Sequence, residues 1–452
     1  MKKMKGKKIL VVGLGETGFD TAMVLKKFSW DVRVTEIKDG LAINEKKVKL
    51  ENYGIVVETG MHSVDFVEWA DTIVPSPGVP LDAAPILWAK ENNKKILSEI
   101  EIAYRLSPSK KIIAITGTNG KTTAVSFADL LFEKAKIPHI TCGNIGNSFI
   151  GEMEKVDEDT WIILEVSSFQ LEYIEDFHAC VGVILNIAQD HLDYYSSFSQ
   201  YVEAKRKLFT NSRQNDWAIM NYENISCRYI AEGLKCNKLF FSSKRKVDSV
   251  FLSDGIVFFK EKKLFSIDDF EKSRLTGIHN LENIMAVAGV AEIFGISEDF
   301  LSGALADYVP HNHRLENVAV INGITFIDDS KATNVDAVCR ALESFPENNN
   351  IILILGGKDK GISFQSLISF LTGRVKMIFC IGEASGRIAD ELAEAKIEIR
   401  EAKNLDQIVK IALAEGKPGD IVLLSPGCSS FDMFTSYAER GDVFKTAVKN
   451  LL

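Results

Sequence analysis

No two cysteines in this 452-residue sequence stand close enough to read as a disulfide framework or a zinc site. The seven (Cys142, Cys180, Cys227, Cys236, Cys339, Cys380 and Cys428) are scattered and odd in number, which fits a reducing cytosol. Long apolar runs are missing too: none approaches the ~20 residues of a membrane span. The opening MKKMKGKKILVVGLG is no secretion signal, because its apolar stretch is short, carries glycines and runs straight into Glu16 and Asp20. Nor is there a basic surplus. With 53 Lys and Arg against 62 Asp and Glu, the formal charge is −9, which excludes nucleic acid or an anionic membrane as the main partner. Any site for anionic substrates must then be locally basic. Internal repeats, low complexity and long linkers are also absent. What remains is ordinary globular composition, 46% hydrophobic and 25% charged. At ~150 residues each, the length predicts about three domains, and we expect a cytoplasmic protein.

The most informative stretch is Ile112–Thr123, I-I-A-I-T-G-T-N-G-K-T-T. Its β-branched run predicts a buried parallel strand that breaks at Gly117, and Ala124–Lys136 continues with helical spacing. Strand, glycine loop and helix in that order present backbone N–H groups and a helix N-terminus to an anion. Only two residues separate Gly117 from Gly120, so this is a shortened phosphate cradle. Lys121 would reach the outer phosphates, and the Thr122 hydroxyl would sit where a Mg²⁺ ion is held.

Upstream, Ile9–Val12 reads as a strand followed by G-x-G-x-x-G at Gly13, Gly15 and Gly18. A helix (Phe19–Phe28), a second strand (Asp31–Thr35) and the acidic Glu36 follow. This is the shape of a dinucleotide-binding unit; NAD, FAD and some other phosphate all fit it. Strands at Gly54–Glu58 and Thr72–Pro75 lead to S-P-G-V-P, and we divide the chain after residue 97, before a helix over Ser98–Leu106. The second domain, 98–310, adds strands at His139–Thr141 (then C-G-N-I-G), Trp161–Leu164 (ending at Glu165) and Val181–Leu185 (then N-I-A-Q-D-H-L-D). These strand ends bring Lys121 and Thr122, Glu165 and His191 to one edge, an arrangement fit for a metal-bound nucleotide. Lys205 lies in a helix over Tyr201–Leu208, and Trp217–Phe265 holds weaker strand-like runs. A helix beginning in Leu275–Ala288 carries Asn280 and Asn283 on one face. The third domain, 311–452, opens with Arg314. Its strands at Thr325–Ile327, Ile351–Leu355, Met377–Ile381 and Ile421–Leu424 each end in a polar loop. The fold class is α/β: a Rossmann-like N-terminal domain, a central P-loop ATPase-like domain with a mostly parallel sheet, and a Rossmann-like C-terminal domain. One phosphate loop between two further ligand edges reads most economically as ATP-driven joining of two small molecules.

The ordered set T-G-T-N-G-K-T-T, G-N-I-G, E-V-S-S-F-Q-L, D-H-L-D, H-N-L-E-N, H-R, D-D-S-K-A-T-N, G-G-K-D-K-G and S-P-G-C-S-S-F-D-M-F resembles the Mur ligases of peptidoglycan synthesis, from Ile9 to about Phe444. The resemblance implies that ATP phosphorylates a substrate carboxylate and that an amino acid's amine attacks the acyl phosphate. The late motifs imply UDP-N-acetylmuramoyl-L-alanine as the acid and D-glutamate as the amine. A D-N-P-R motif of the diamino-acid members is absent. Sister amide ligases, including folylpolyglutamate synthase, remain the alternative within the superfamily; a nicotinamide-dependent oxidoreductase or a nucleotide switch is the alternative outside it.

Carried over by motif, Gly117, Thr118, Asn119, Gly120, Lys121, Thr122 and Thr123 would hold the phosphates of ATP. Asn280, Asn283, Arg314 and Asp329 would contact the nucleotide. Thr122 and Glu165 would hold one Mg²⁺. His191 and Lys205, the latter matching the family's carbamylated lysine, would hold a second. Lys121, Lys205 and His191 form the expected catalytic group. Glu16, Thr17, Glu36, Gly78, Asn144, Ser167 and His191 would line the UDP-substrate site, although Glu36-Ile37-Lys38 stands where the family has a cation. Lys331, Thr333, Lys360, Ser430, Phe431 and Tyr437 would receive D-glutamate; of the lysines at 358 and 360 we take Lys360. A monomer is expected.

Overall fold

The computed structural model describes residues 7–144, 146–192 and 194–452. Ile145 and Asp193, in two of the predicted loops, lie outside the described residues. The chain builds three sheets in sequence order. In the first, five parallel strands run in the spatial order Val56–Thr59, Asp31–Glu36, Lys8–Val12, Thr72–Pro75, Lys95–Ile96. The order reverses between Lys8–Val12 and Thr72–Pro75, which opens a crevice at their carboxyl ends. The first glycine loop sits there. Gly18 is required by contact, since a Cβ would lie 2.0 Å from the Gly13 carbonyl oxygen.

The second sheet has nine strands. The phosphate strand Ile112–Thr116 lies between Trp161–Glu165 and Val181–Ile184, parallel to both. All five of its residues are buried, which explains a continuous apolar run in place of alternation. One face packs against the helices Lys121–Lys134 and Ile278–Phe294. The other face shares a core with the first sheet's helices. The weak stretch from Trp217 resolves into five strands, the last two antiparallel. The third sheet has six strands and a core on each face. Two of its edge strands are unpredicted. Glu316–Ile321 pairs antiparallel with Ile324–Asp328 through a turn with Asn322 and Gly323 at φ 52° and 79°. That Asn-Gly pair is a strong hairpin signal in the sequence. Glu398–Glu401 completes the opposite edge; its alternating charges hid it.

Several boundaries move. The first-unit helix begins at Glu16, not Phe19. The predicted helix over Tyr201–Leu208 runs from Phe198 to Arg206 and ends in a 3₁₀ turn. The helix after the phosphate loop starts at Lys121, three residues earlier than expected, so Lys121-Thr122-Thr123 forms its first turn. Those residues' N–H groups, with no intrahelical partners, are what an anion meets.

Candidate functional site

The phosphate loop is held from behind. Asn186 at the end of its neighbouring strand accepts from Asn119 N–H through Oδ1 (2.9 Å) and donates back to Asn119 O (3.0 Å), while its carbonyl accepts from Thr118 N–H. Gly120 turns the chain at φ 86°, and a Cβ there would sit 2.2 Å from Asn283 Oδ1. Glycine alone meets both demands. Lys121 Nζ curls onto the carbonyls of Gly117 (2.9 Å) and Thr118 (2.8 Å). Burial lowers its pKa, with the nearby Glu165 and Asp190 opposing.

Glu165 reaches the loop as the paired strands require. Its Oε2 accepts from the Thr122 hydroxyl (3.1 Å) and its Oε1 from Asn144 Nδ2 (3.0 Å). His191 follows the strand Val181–Ile184, with φ 55° and its ring edge-on to Phe169. Burial, reinforced by Lys360, Lys121 and Lys205 and opposed by Asp190, pushes the imidazole down to about 4, so it is neutral at pH 7. Lys205 is 1% exposed. Its Nζ donates to Gly117 O (2.9 Å) and Thr116 Oγ1 (3.3 Å), and burial followed by the Lys121 charge lowers its pKa far below the usual lysine value. Thr122, Glu165 and a neutral His191 line one cleft and offer the hard oxygen and nitrogen donors that suit a hydrated Mg²⁺. As an amine donating to a carbonyl, Lys205 is not itself a ligand.

The third sheet's loops face this cleft. Asn334 Nδ2 donates to Asp190 Oδ2 (2.9 Å) and Asn119 Oδ1 (3.1 Å), and Asn119 Nδ2 donates to Asp336 Oδ2 (2.8 Å). Lys360 Nζ lies 3.4 Å from Asp190 Oδ1, whereas Lys358 is exposed. Lys331, Thr333 and Arg314 line the same cleft as the phosphate loop, and Lys331 Nζ stands 3.6 Å over the Tyr437 ring. Burial, aided by Arg314, lowers Lys331 to about 8. Ser430 is buried, while Phe431 is exposed. Arg314 enters the cleft from a bend in which His313 and Leu315 both have positive φ.

Asn280 and Asn283 join Arg314 and Asp329 around a second cleft. Asp329 accepts from the Ser425 hydroxyl (2.8 Å) and, through burial, rises to about 7. His279, Asp336 and Arg340 also line this cleft and were not singled out from the sequence. His279 lies on the helix that bears Asn280 and Asn283, and Asp336 and Arg340 lie on the helix Val335–Glu343 that follows Lys331 and Thr333. In the first unit, Glu36 uses both carboxylate oxygens on backbone, accepting from Leu14 N–H (2.6 Å) and Lys38 N–H (2.8 Å). It shapes the glycine loop from within. Glu16 is exposed and paired with Lys46 (2.8 Å), Thr17 follows it in the first turn of the same helix, and Gly78 turns the chain at φ 88°. Ser167 caps a short helix in a reciprocal pair with Gln170.

Among the described residues, the acid and imidazole atoms near enough to share one ion are those of His313, Glu316 and Asp328. Lys445 Nζ lies 3.3 Å from Glu316, so that cluster already has a cation.

Three family domains match in order: the Mur ligase MurD-like N-terminal domain over residues 7–98, the Mur ligase middle domain over 115–291, and the Mur ligase glutamate ligase domain over 313–428. UDP-N-acetylmuramoylalanine–D-glutamate ligases from Koribacter versatilis and Acidobacterium capsulatum are each 38% identical over 99% of this chain, covering 98% and 97% of their own lengths. The MurF ligase of Thermotoga maritima, solved in complex with ADP, matches in fold with a TM-score of 0.59 at 16% identity, over 100% of this chain and 97% of that one.

Proposed function

The chain belongs to the Mur ligase family, the ATP-dependent amide ligases, and from that premise we propose that it joins D-glutamate to UDP-N-acetylmuramoyl-L-alanine in peptidoglycan precursor synthesis. Family membership removes the oxidoreductase reading of Gly13–Gly18. The observation that carries the choice among sister ligases is the near-full-length identity to relatives named for this reaction. The loop residues support it: Lys331 and Lys360 offer two cations to a dicarboxylate, Lys331 lining the cleft and Lys360 standing 3.4 Å from Asp190, which also lines it.

In this reading the first turn of the phosphate-loop helix and Lys121 hold the β- and γ-phosphates of ATP. Arg314 and Asp329 hold the ribose side of the nucleotide, with Asn280 and Asn283 beside it. Asn144, Ser167 and His191 orient the muramoyl end, and Glu16, Thr17, Glu36 and Gly78 border the uridine-diphosphate pocket. The alanyl carboxylate attacks the γ-phosphorus, ADP leaves, and the D-glutamate amine attacks the acyl carbonyl, loses a proton and expels phosphate. Lys331, Thr333, Lys360, Ser430, Phe431 and Tyr437 present that amine. Thr122 and Glu165 would hold one Mg²⁺, and His191 with a carbamylated Lys205 a second, offsetting the charge crowded between phosphate and carboxylate. A buried amine of low pKa is the form of lysine that adds carbon dioxide, which supports that modification. We further propose division at residues 97/98 and 310/311, a cytoplasmic location and a monomer. No helix among the described residues is long and apolar enough to cross a membrane.

The deciding experiment is phosphate release from ATP, Mg²⁺ and UDP-N-acetylmuramoyl-L-alanine with a panel of amino acids. Release with D-glutamate alone is expected. Release instead with L-alanine, L-glutamate or a diamino acid would move the chain to a sister activity.

A further inference from the structure

Arg440 is the largest fully buried side chain among the described residues, 2% exposed, in the first turn of the helix Tyr437–Lys449. Its Nε donates to Ser330 Oγ (2.9 Å), its Nη2 to Ser330 O (2.8 Å) and its Nη1 to Cys428 O (3.0 Å). Ser330 Oγ donates in turn to Tyr437 O (2.8 Å). Gly357 packs on the guanidinium so closely that a Cβ there would lie 3.1 Å from Nη1. One planar group therefore joins three loops that are far apart in sequence and that also bond directly, Gly427 N–H to Ala332 O (2.9 Å) and Lys358 N–H to Ser429 O (2.9 Å). Ser330 adjoins Lys331, Cys428 stands two residues before Ser430, and Gly357 opens the loop that carries Lys360.

All these acceptors are neutral, and no carboxylate pairs with Arg440 among the described residues. Burying a cation without a paired anion is unfavourable, and an apolar side chain of similar volume would fill the space without that penalty. A guanidinium differs from such a filler in two ways. Its rigid fork fixes the mutual spacing of the groups it bonds, and its charge persists when buried.

We propose that Arg440 is a positioning residue for the incoming amino acid: it sets the spacing of the loops bearing Lys331, Lys360 and Ser430 and adds a buried positive charge behind a site built for a dicarboxylate. The inference rests on the reading of the third unit as the amino-acid-binding unit. Arg440 does not itself line the nucleotide cleft, so the amino acid is the substrate on which its effect should be largest.

Three variants test it: R440K, which keeps the charge but loses the fork; R440M, which loses both; and S330A, which removes one acceptor and leaves Arg440 in place. Steady-state phosphate release is measured with the amino acid varied and then with ATP varied, alongside thermal melting. R440K is expected to raise KM for the amino acid by about tenfold and R440M by more, S330A by less, with KM for ATP changed by less than about twofold. A KM for the amino acid that stays put in R440K and S330A, or one that rises in parallel with KM for ATP, overturns the proposal. If R440M does not fold, R440K and S330A decide. If the wild type uses a different amino acid, D-glutamate as substrate falls, and the same comparison on that amino acid still judges Arg440. A wild type that turns over no amino acid overturns both.

Discussion

Lys121 and Lys205 donate to one carbonyl, that of Gly117. Two buried ammonium groups on one oxygen repel, and burial lowers the pKa of both. On the function proposed above, Lys121 meets phosphate and Lys205 is the lysine that is modified. Lys121→Ala should reduce phosphate release on the order of 10³-fold, as expected for loss of a cation at developing charge, while calorimetric binding of the UDP substrate persists. Parallel loss of both would mean that the two sites are one. Lys331 gives a pH dependence. Its ammonium is present below about 8 and lost above it, so KM for D-glutamate should be flat through pH 7 and climb as pH passes 8. Lys331→Arg keeps its charge through this range, and its profile should stay flat; an identical rise in both would assign the break to another group. Most of these side chains were legible because each follows a strand in a polar motif. Asn334 and Asp190 were not singled out, since a residue that joins two loops carries no local mark of its partner.

At the scale of elements, the strand–loop–helix around Gly117–Thr123 does two jobs. It buries the strand on both faces and leaves the first-turn amides free. Gly120 is the joint, with positive φ and Asn283 where a side chain would go. Gly120→Ala should cost about 1–3 kcal/mol in stability from backbone strain, with further loss from the clash, and should weaken ATP binding more than UDP-substrate binding. Thermal melting with and without each ligand checks both parts; equal ligand stabilisation would contradict it. The strand Glu316–Ile321 shows the reverse of legibility. Four of its six residues are apolar, and its Asn322-Gly323 turn folds it back along the sheet edge.

Across the whole molecule, the phosphate loop touches the third unit through Asn119, Asn334 and Asp336. A ligand held on both sides should tighten that contact, so ATP should slow proteolysis near the exposed Val309 beside Pro310. Unchanged cleavage would argue that the two units move independently of nucleotide. The joint on the other side contains Glu99, whose Oε1 accepts from Ile150 N–H (2.6 Å) while its Oε2 is buried without a partner. Burial raises this carboxyl to about 7. A folded pKa above the unfolded one means stability present below pH 4.5 and lost as pH rises through about 7. The wild type should therefore lose on the order of 3 kcal/mol between pH 5 and 8 relative to Glu99→Gln, measured as the difference in denaturant midpoints. Parallel pH profiles would show that Glu99 does not titrate in this window.

The sequence by itself determined what is local: the β-branched runs that become buried strands, the glycines that turn the chain, and the order of motifs that names the family. Those features act over a few residues, so their meaning survives without knowledge of the rest of the chain. The tertiary structure decided which loops meet. Asp190 with Lys360, Asn119 with Asn334, and Arg440 beneath Ser330 and Gly357 are contacts across long separations, fixed by sheet order and closure of the third unit. No periodicity encodes them, because each depends on where parallel strands deliver their ends. Arg440 makes the point most plainly. In sequence it is one more arginine on an amphipathic helix, and only the closed packing of three loops around it turns a surface residue type into a buried support.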